Sequence, residues 1–303
     1  MNKIINFHDV NKIEWFESVI KILKAKYEFI SAEEIGLFLG RNKTLKNTCH
    51  VTVDDGDISF YEIIYPVLKK YKIPATIFVS PEAIVKRKNF WFQEIRGFGN
   101  NELRSIIASF IGINEERIMN YPVSHLMKML RISEIWQIIE IYGKKFTNGQ
   151  KECQNMTVDQ LFEIEREGLV AIGAHTLTHP ILSNENDDIC ENEILGSIRQ
   201  LEELLNHKID YFAYPNGVPE IDFGDREIQI LCSADIKLAF STETKNLNIN
   251  DNPQMIPRFG ISHGNQIFVQ AKLFIGEYWN LFRNIKKKSE KKTRKELKSI
   301  IGR

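Results

Sequence analysis

The chain has 303 residues, 43% of them hydrophobic and 26% charged, with forty Lys/Arg balanced by forty Asp/Glu. That length suffices for one barrel-sized domain or two smaller ones, and the composition excludes global disorder. The neutral total hides an asymmetry: from Arg283 to Arg303 ten basic residues face only Glu290 and Glu296, so the body before them carries thirty basic and thirty-eight acidic residues, a net −8.

Lys3 to Phe7 predicts a first short strand that closes in His8-Asp9, and Ile13 to Ala25 places Ile13, Phe16, Val19, Ile20 and Leu23 on one face of a helix. Tyr27 to Ile30 is a second brief strand; Ser31-Ala32-Glu33-Glu34 then caps a helix to about Leu39. Strand, helix, strand, helix is the alternation of a parallel sheet or barrel. Val51 to Val53 is the next strand, followed by a helical pattern from Ile58 to Tyr71 that Pro66 should kink or break. Pro74 to Val79 is a strand ended by Pro81. The alternation lapses over residues 86–150, whose pattern is helical. This stretch is expected to be an insertion capping the mouth, with Trp91, Phe92, Phe98, Trp136 and Tyr142 mainly packing it together.

Thr157 caps a helix to about Glu167 that Gly168 stops, Val170 to Ala174 is a strand, and Asp188 to Leu205 is a long amphipathic helix with Ile189, Ile194, Ile198, Leu201 and Leu204 or Leu205 on one side. Tyr211 to Tyr214 is a strand running into the turn Pro215-Asn216-Gly217, where the glycine permits a positive φ. Lys237 to Ser241 and Met255 to Ile261 supply two more strands, and Gln266 to Asn284 an apolar helix. The cysteines at 49, 153, 190 and 232 lack metal or redox spacing and are expected to be reduced, buried fillers. No export signal is read at the start of the chain and no window has the apolar length of a membrane span, which predicts a cytoplasmic protein.

Two stretches carry chemistry. His50-Val51-Thr52-Val53-Asp54-Asp55-Gly56 is a strand that stops at two carboxylates. Val170 to Pro180 is a second apolar run, ending in His175 and His179, with Gly173 for close approach and Pro180 at the exit. Asp-Asp-Gly is also ordinary turn composition, and histidines are common in loops. Placed at strand ends, however, one Asp and the two His suit a first-row metal, with the other Asp free as a base.

These motifs, together with Phe212-Ala213-Tyr214-Pro215-Asn216-Gly217 and the opening Phe7-His8-Asp9-Val10, resemble the polysaccharide deacetylase family, the carbohydrate esterases that share the chitooligosaccharide-deacetylase homology domain. The resemblance spans about Ile4 to Ile261, apart from the insertion. It implies an α/β fold, a distorted (β/α)7 barrel over residues 1–282 with a helical insertion between the early and middle strands, followed by a basic tail at 283–303. It also implies one divalent metal, Zn2+ by preference, held by Asp55, His175 and His179, with Asp54 as general base and the Asn216 backbone N–H as oxyanion donor. Two departures stand out. Ala213 occupies the place of the family's base-orienting Arg, for which Arg258 in Ile256-Pro257-Arg258-Phe259 is the replacement candidate. The Leu-x-His that supplies the general acid is missing from its usual place, leaving His263 as first candidate and His8 as second.

The implied function is removal of an acetyl group from an N-acetylated sugar of a bacterial surface glycan or its precursor. The alternatives are hydrolysis of another C–N bond, as in a cyclic amide, or a non-catalytic glycan-binding or assembly subunit. The basic tail reads as a solvated helix end or as a peripheral contact with anionic membrane. Nucleic acid is not expected as a partner, given the acidic body and the lack of a recognition motif.

Overall fold

The β-branched runs of the sequence become strands in the computed structural model, which describes residues 1–146, 151–261, 290–300 and 302. Among the described residues eight strands are formed: β1 (Lys3–Phe7), β2 (Glu28–Phe29), β3 (Thr48–Val53), β4 (Ala75–Val79), β5 (Val170–Ala174), β6 (Tyr211–Ala213), β7 (Leu238–Phe240) and β8 (Phe259–Gly260). Their order is β7-β6-β5-β4-β3-β1-β8, with β2 paired to the start of β3 outside that path. All pairings between these strands are parallel. Closure begins where the chain before β8 runs parallel beside β7: Ile256 N–H donates to Ala239 O and Ser241 N–H to Ile256 O, both at 2.8 Å. The curled parallel sheet with its connecting helices is the expected distorted (β/α)7 barrel.

Strand interiors are buried on both faces, as a parallel sheet wrapped by helices requires. Helices Ile13–Lys24, Val158–Glu167 and Asp187–Leu205 contribute apolar stripes to the main core, among them Phe16, Leu23, Leu161, Ile194 and Leu201. Thr157 and Gly168 cap the second of these helices as the sequence indicates, with a complete capping box and a left-handed C-cap. On Asp187–Leu205 the expected Ile194, Ile198 and Leu201 are buried and Leu204 and Leu205 pack against the core, but Ile189 is not part of that face. Cys190, Glu193, Ile194, Ser197, Ile198 and Leu201 follow the three-and-four spacing, which leaves Ile189 exposed at 41%.

The expected helix over Ile58 to Tyr71 is instead a π-helical turn, Phe60–Ile64, leading into the α-helix Tyr65–Tyr71 with Pro66 in its first turn. Proline lacks an N–H that the first turn does not need, so the change of register at the π turn absorbs it without a break. Pro81 likewise opens a helix, Pro81–Val85. Of the four cysteines, all free, Cys49 and Cys190 are buried fillers, whereas Cys153 is half-buried and Cys232 is exposed on the outer face of Asp225–Ser233.

The connection from β4 to β5 holds the helices Trp91–Glu94, Asn100–Ile111, Val123–Met127 and Ile132–Phe146, which enclose a second apolar core around Ile107, Met127 and Ile138. Phe98 and Tyr142 stack within it at 3.8 Å between ring centroids. The helix at 290–300 adds Leu297 to the same core. No described helix is long and apolar enough to cross a membrane.

Candidate metal centre

The chemistry-bearing side chains leave the carboxyl ends of neighbouring strands: Asp54 and Asp55 follow β3, His175 follows β5, and Asn216 lies three residues beyond β6. Parallel register brings these ends together. β5 can approach its neighbours closely because residue 173 is glycine; a Cβ there would lie 2.6 Å from the Phe78 ring and 2.8 Å from Tyr211 O. Asp55, Thr176, His179 and Asn216 all hold a left-handed φ, between 57° and 76°. Each such non-glycine conformation costs on the order of 1–3 kcal/mol, a strain that gathers at functional sites. Thr176, β-branched and least suited to it, is held by its hydroxyl, which donates to His175 O and accepts from His179 N–H.

Asp55, His175 and His179 are buried and present one ligand atom each within 4.8 Å of one another. His175 Nε2 and His179 Nε2 stand 3.5 and 3.4 Å from Asp55 Oδ1. Three ligands about 2.0–2.1 Å from a tetrahedral ion would stand about 3.4 Å from each other. Asp55 Oδ1 and His179 Nδ1 have no hydrogen-bond partner among the described residues although both are buried. His175 Nδ1 lies 2.7 Å from Ala213 O. A carbonyl only accepts, so the ring carries its proton on Nδ1 and turns the Nε2 lone pair into the cluster. The arrangement fits a divalent cation that takes carboxylate oxygen and imidazole nitrogen together.

Burial works against charge on Asp55, but His175 and then His179, both close to the carboxylate, outweigh it and hold the carboxyl well below the usual range. Burial also brings His179 down to about 4, keeping a neutral imidazole available as a ligand. The rings of Phe90 and Phe92 pack on His179 at 5.4 and 4.9 Å between centroids, and Trp91 Nε1 donates to His179 O at 3.1 Å. The start of the insertion thus walls His179 as well as packing on itself.

Asp54 sits differently. Arg258, 1% exposed, grips it with two prongs, Nη1 to Oδ1 at 2.7 Å and Nη2 to Oδ2 at 3.0 Å. Asn6 Nδ2 donates to the same Oδ2 at 2.9 Å. The guanidinium is itself fixed by Ser241 O at 2.9 Å and Asn6 Oδ1 at 3.1 Å. Burial pushes the Asp54 carboxyl up, but Arg258, then His175 and His8, bring it below its ordinary value. The late-strand arginine therefore reaches across the barrel to the carboxylate that Ala213 cannot touch. Sequence reasoning missed Asn6, whose signal was its register: it pairs with Thr52, two residues before Asp54 and on the same strand face.

His8 is half exposed, with Nε2 3.7 Å from Asp54 Oδ2. His263 lies outside the described residues. His50 is structural, its ring nitrogens bonded to Ile30 O and Thr76 Oγ1. Asn216 adopts the turn expected of it, and among the described residues its backbone N–H donates no hydrogen bond. A cavity of about 460 Å3 near Phe90, Trp136 and Lys151 has none of Asp54, Asp55, His175 or His179 in its lining; it lies behind the histidine loop, bounded by Leu177 and Thr178.

Known proteins share parts of this sequence and its fold. Poly-beta-1,6-N-acetyl-D-glucosamine N-deacetylases of Staphylococcus aureus are 27% identical over 256 residues, covering 82% of this chain. The chain spans 66% of the length of these curated relatives, just under two thirds. The fold recurs in the Streptococcus pyogenes deacetylase PplD in complex with acetate (21% identity, TM-score 0.56, covering 86% of this chain and 92% of that one). It recurs also in IcaB from Ammonifex degensii (18% identity, TM-score 0.58, covering 86% and 93%). The polysaccharide deacetylase family profile matches residues 41–122 and 131–239. With more than half of its length matched, this chain belongs to the polysaccharide deacetylase family.

Proposed function

We propose that the chain is a divalent-metal-dependent hydrolase that removes the acetyl group from N-acetylglucosamine units of a bacterial glycan, the substrate class named in its staphylococcal relatives. The observation that carries this reading is the pairing of a buried, arginine-clamped carboxylate at Asp54 with the Asp55, His175 and His179 cluster one residue away. Asp55, His175 and His179 would hold the ion, for which zinc suits the donor set. When bound, such an ion supplies Lewis acidity toward a carbonyl oxygen and toward water.

The protein groups divide the remaining work. Asp54, ionised and fixed by Arg258 and Asn6, accepts a proton as water adds to the acetamide carbon. The Asn216 N–H donates to the oxygen that gains charge in that step. The C–N bond then breaks, and the amine leaves with a proton. His8, at the exposed side of Asp54, is the described residue placed to give it. The products are acetate and a free amino sugar. The intact set speaks against the non-catalytic alternative.

Purified, metal-loaded protein should release equal amounts of acetate and free amine from β-1,6-linked N-acetylglucosamine oligomers. No release from these or any other N-acetylated glycan would overturn the proposal. A cytoplasmic setting and a contact of residues 283–303 with anionic lipid are proposals from sequence alone. Cell fractionation tests the first. Vesicle binding at low and high salt tests the second, since an electrostatic contact must weaken with salt.

A further inference from the structure

The basic tail does more in this structure than extend into solvent. Residues 290–300 are helical, and Leu297, 1% exposed, seats the helix in the core of the insertion. From this helix Arg294, 6% exposed, points at the barrel and donates to Asp222 Oδ1 at 2.6 Å. Asp222 is 1% exposed, and its other oxygen accepts the Val218 N–H at 2.9 Å and the side-chain amide of Asn216. The opposite end of that amide, Asn216 Oδ1, accepts from Lys128 Nζ at 2.6 Å. Lys128 belongs to the insertion, so two cations from outside the barrel strands converge on one turn.

We propose that Arg294 and Lys128 are positioning residues that lock the turn carrying Asn216, and so aim its backbone N–H at the reacting carbonyl. The need for a lock is conformational. Asn216 holds a φ of 57°, a minority region for any residue with a Cβ. An asparagine whose amide is bound at both ends cannot relax to the commoner basin without giving up both contacts. Asp222 can serve as the middle link because Arg294 compensates its charge where water does not reach; without that partner the buried carboxylate is left exposed to its full desolvation cost, and the link loosens. The basic run that reads from sequence as a solvated end thus has one member committed to the site.

This inference rests on the reading of Asn216 as oxyanion donor, and two independent readouts keep the claims apart. The first is kinetic. Arg294→Met should lower kcat for acetate release about tenfold or more, since small misplacement of a catalytic group is costly, while KM and bound metal stay near the parent's. Arg294→Lys should restore much of the loss. The second is hydrogen exchange at the Val218 amide, which reads the Asp222 link directly and needs no substrate; it should quicken in Arg294→Met. Lys128→Met removes the other clamp from the protein's surface side and should lower kcat in the same way, which keeps the test available if Arg294→Met fails to fold. Kcat of both variants within twofold of the parent, or unchanged exchange at Val218 in Arg294→Met, overturns the proposal. A parent that releases no acetate overturns the proposed function instead, and exchange at Val218 then decides whether Arg294 holds the turn.

Discussion

Replacing Arg258 by Met keeps most of the side-chain volume and removes the guanidinium. Among the described residues, Asp54, 3% exposed, then retains only the Asn6 amide as a close donor, while Ser241 O and Asn6 Oδ1 each lose a partner. Removing one member of a buried ion pair costs about 3–5 kcal/mol, because the other charge stays behind without compensation. At roughly 2 °C per kcal/mol for a chain of this size, the unfolding midpoint should fall by about 6–10 °C. Catalysis should suffer separately. A base free to rotate off line loses the orientation on which proton transfer depends, and kcat should fall by about 100-fold. Arg258→Lys keeps the charge but cannot make the two-pronged contact, so both quantities should land between parent and Met variant. Thermal unfolding and acetate release, measured on the same metal-loaded preparations, decide the matter. A Met variant as stable and as active as the parent would refute the reasoning.

Glu193 gives a pH-dependent prediction. Its carboxyl is pushed up to about 7 by burial, against the opposing hydrogen bonds from Thr178 at 2.5 and 2.9 Å that tie the histidine loop to helix Asp187–Leu205. Between about pH 4.5 and 7 the folded state keeps a proton that the unfolded chain has lost, so this group's contribution to stability falls as pH rises, by up to about 3 kcal/mol. His50, held down to about 4 by burial, acts in the opposite sense below pH 6.5. Only the difference between Glu193→Gln and parent therefore isolates Glu193. In urea unfolding that difference should shift in the variant's favour from pH 5 to pH 8, and a pH-independent difference would refute the assignment. Gly173→Ala should destabilise by about 1–3 kcal/mol through the contact with Phe78 and Tyr211, and should weaken metal binding because β5 carries His175; unchanged stability and metal affinity would show that the strands can separate at no cost. Chelation should lower the unfolding midpoint of the parent but not of His175→Ala, since an ion bound only by the folded state stabilises it.

The parts of the site that lie close together in sequence were legible before the structure. A strand ending in Asp54-Asp55 and a strand ending in His175 fix their own geometry locally, and a parallel sheet aligns their ends. Arg258 was readable only as a candidate, because its contact with Asp54 spans 204 residues and depends on barrel closure. Asn6, Glu193, Lys128 and Asp222 gave no motif at all. Their roles are set by which turn each faces once helices and insertion have packed, and neither periodicity nor composition encodes that. The same holds for Arg294, whose local sequence is indistinguishable from a solvated basic helix until Leu297 finds the second core. Ile189 shows the limit of periodicity itself: five residues before Ile194, it falls outside the three-and-four spacing that buries Cys190 instead.

One paired measurement, metal content and acetate release in parent and Asp54→Asn, tests the proposed metal-dependent hydrolysis most directly. The substitution leaves Asp55, His175 and His179 in place and replaces the charge that Arg258 grips. Both proteins should hold about one divalent ion per chain, with release of acetate by the parent alone. Turnover by Asp54→Asn comparable to the parent's, or a folded parent that binds no divalent ion, would contradict the proposal.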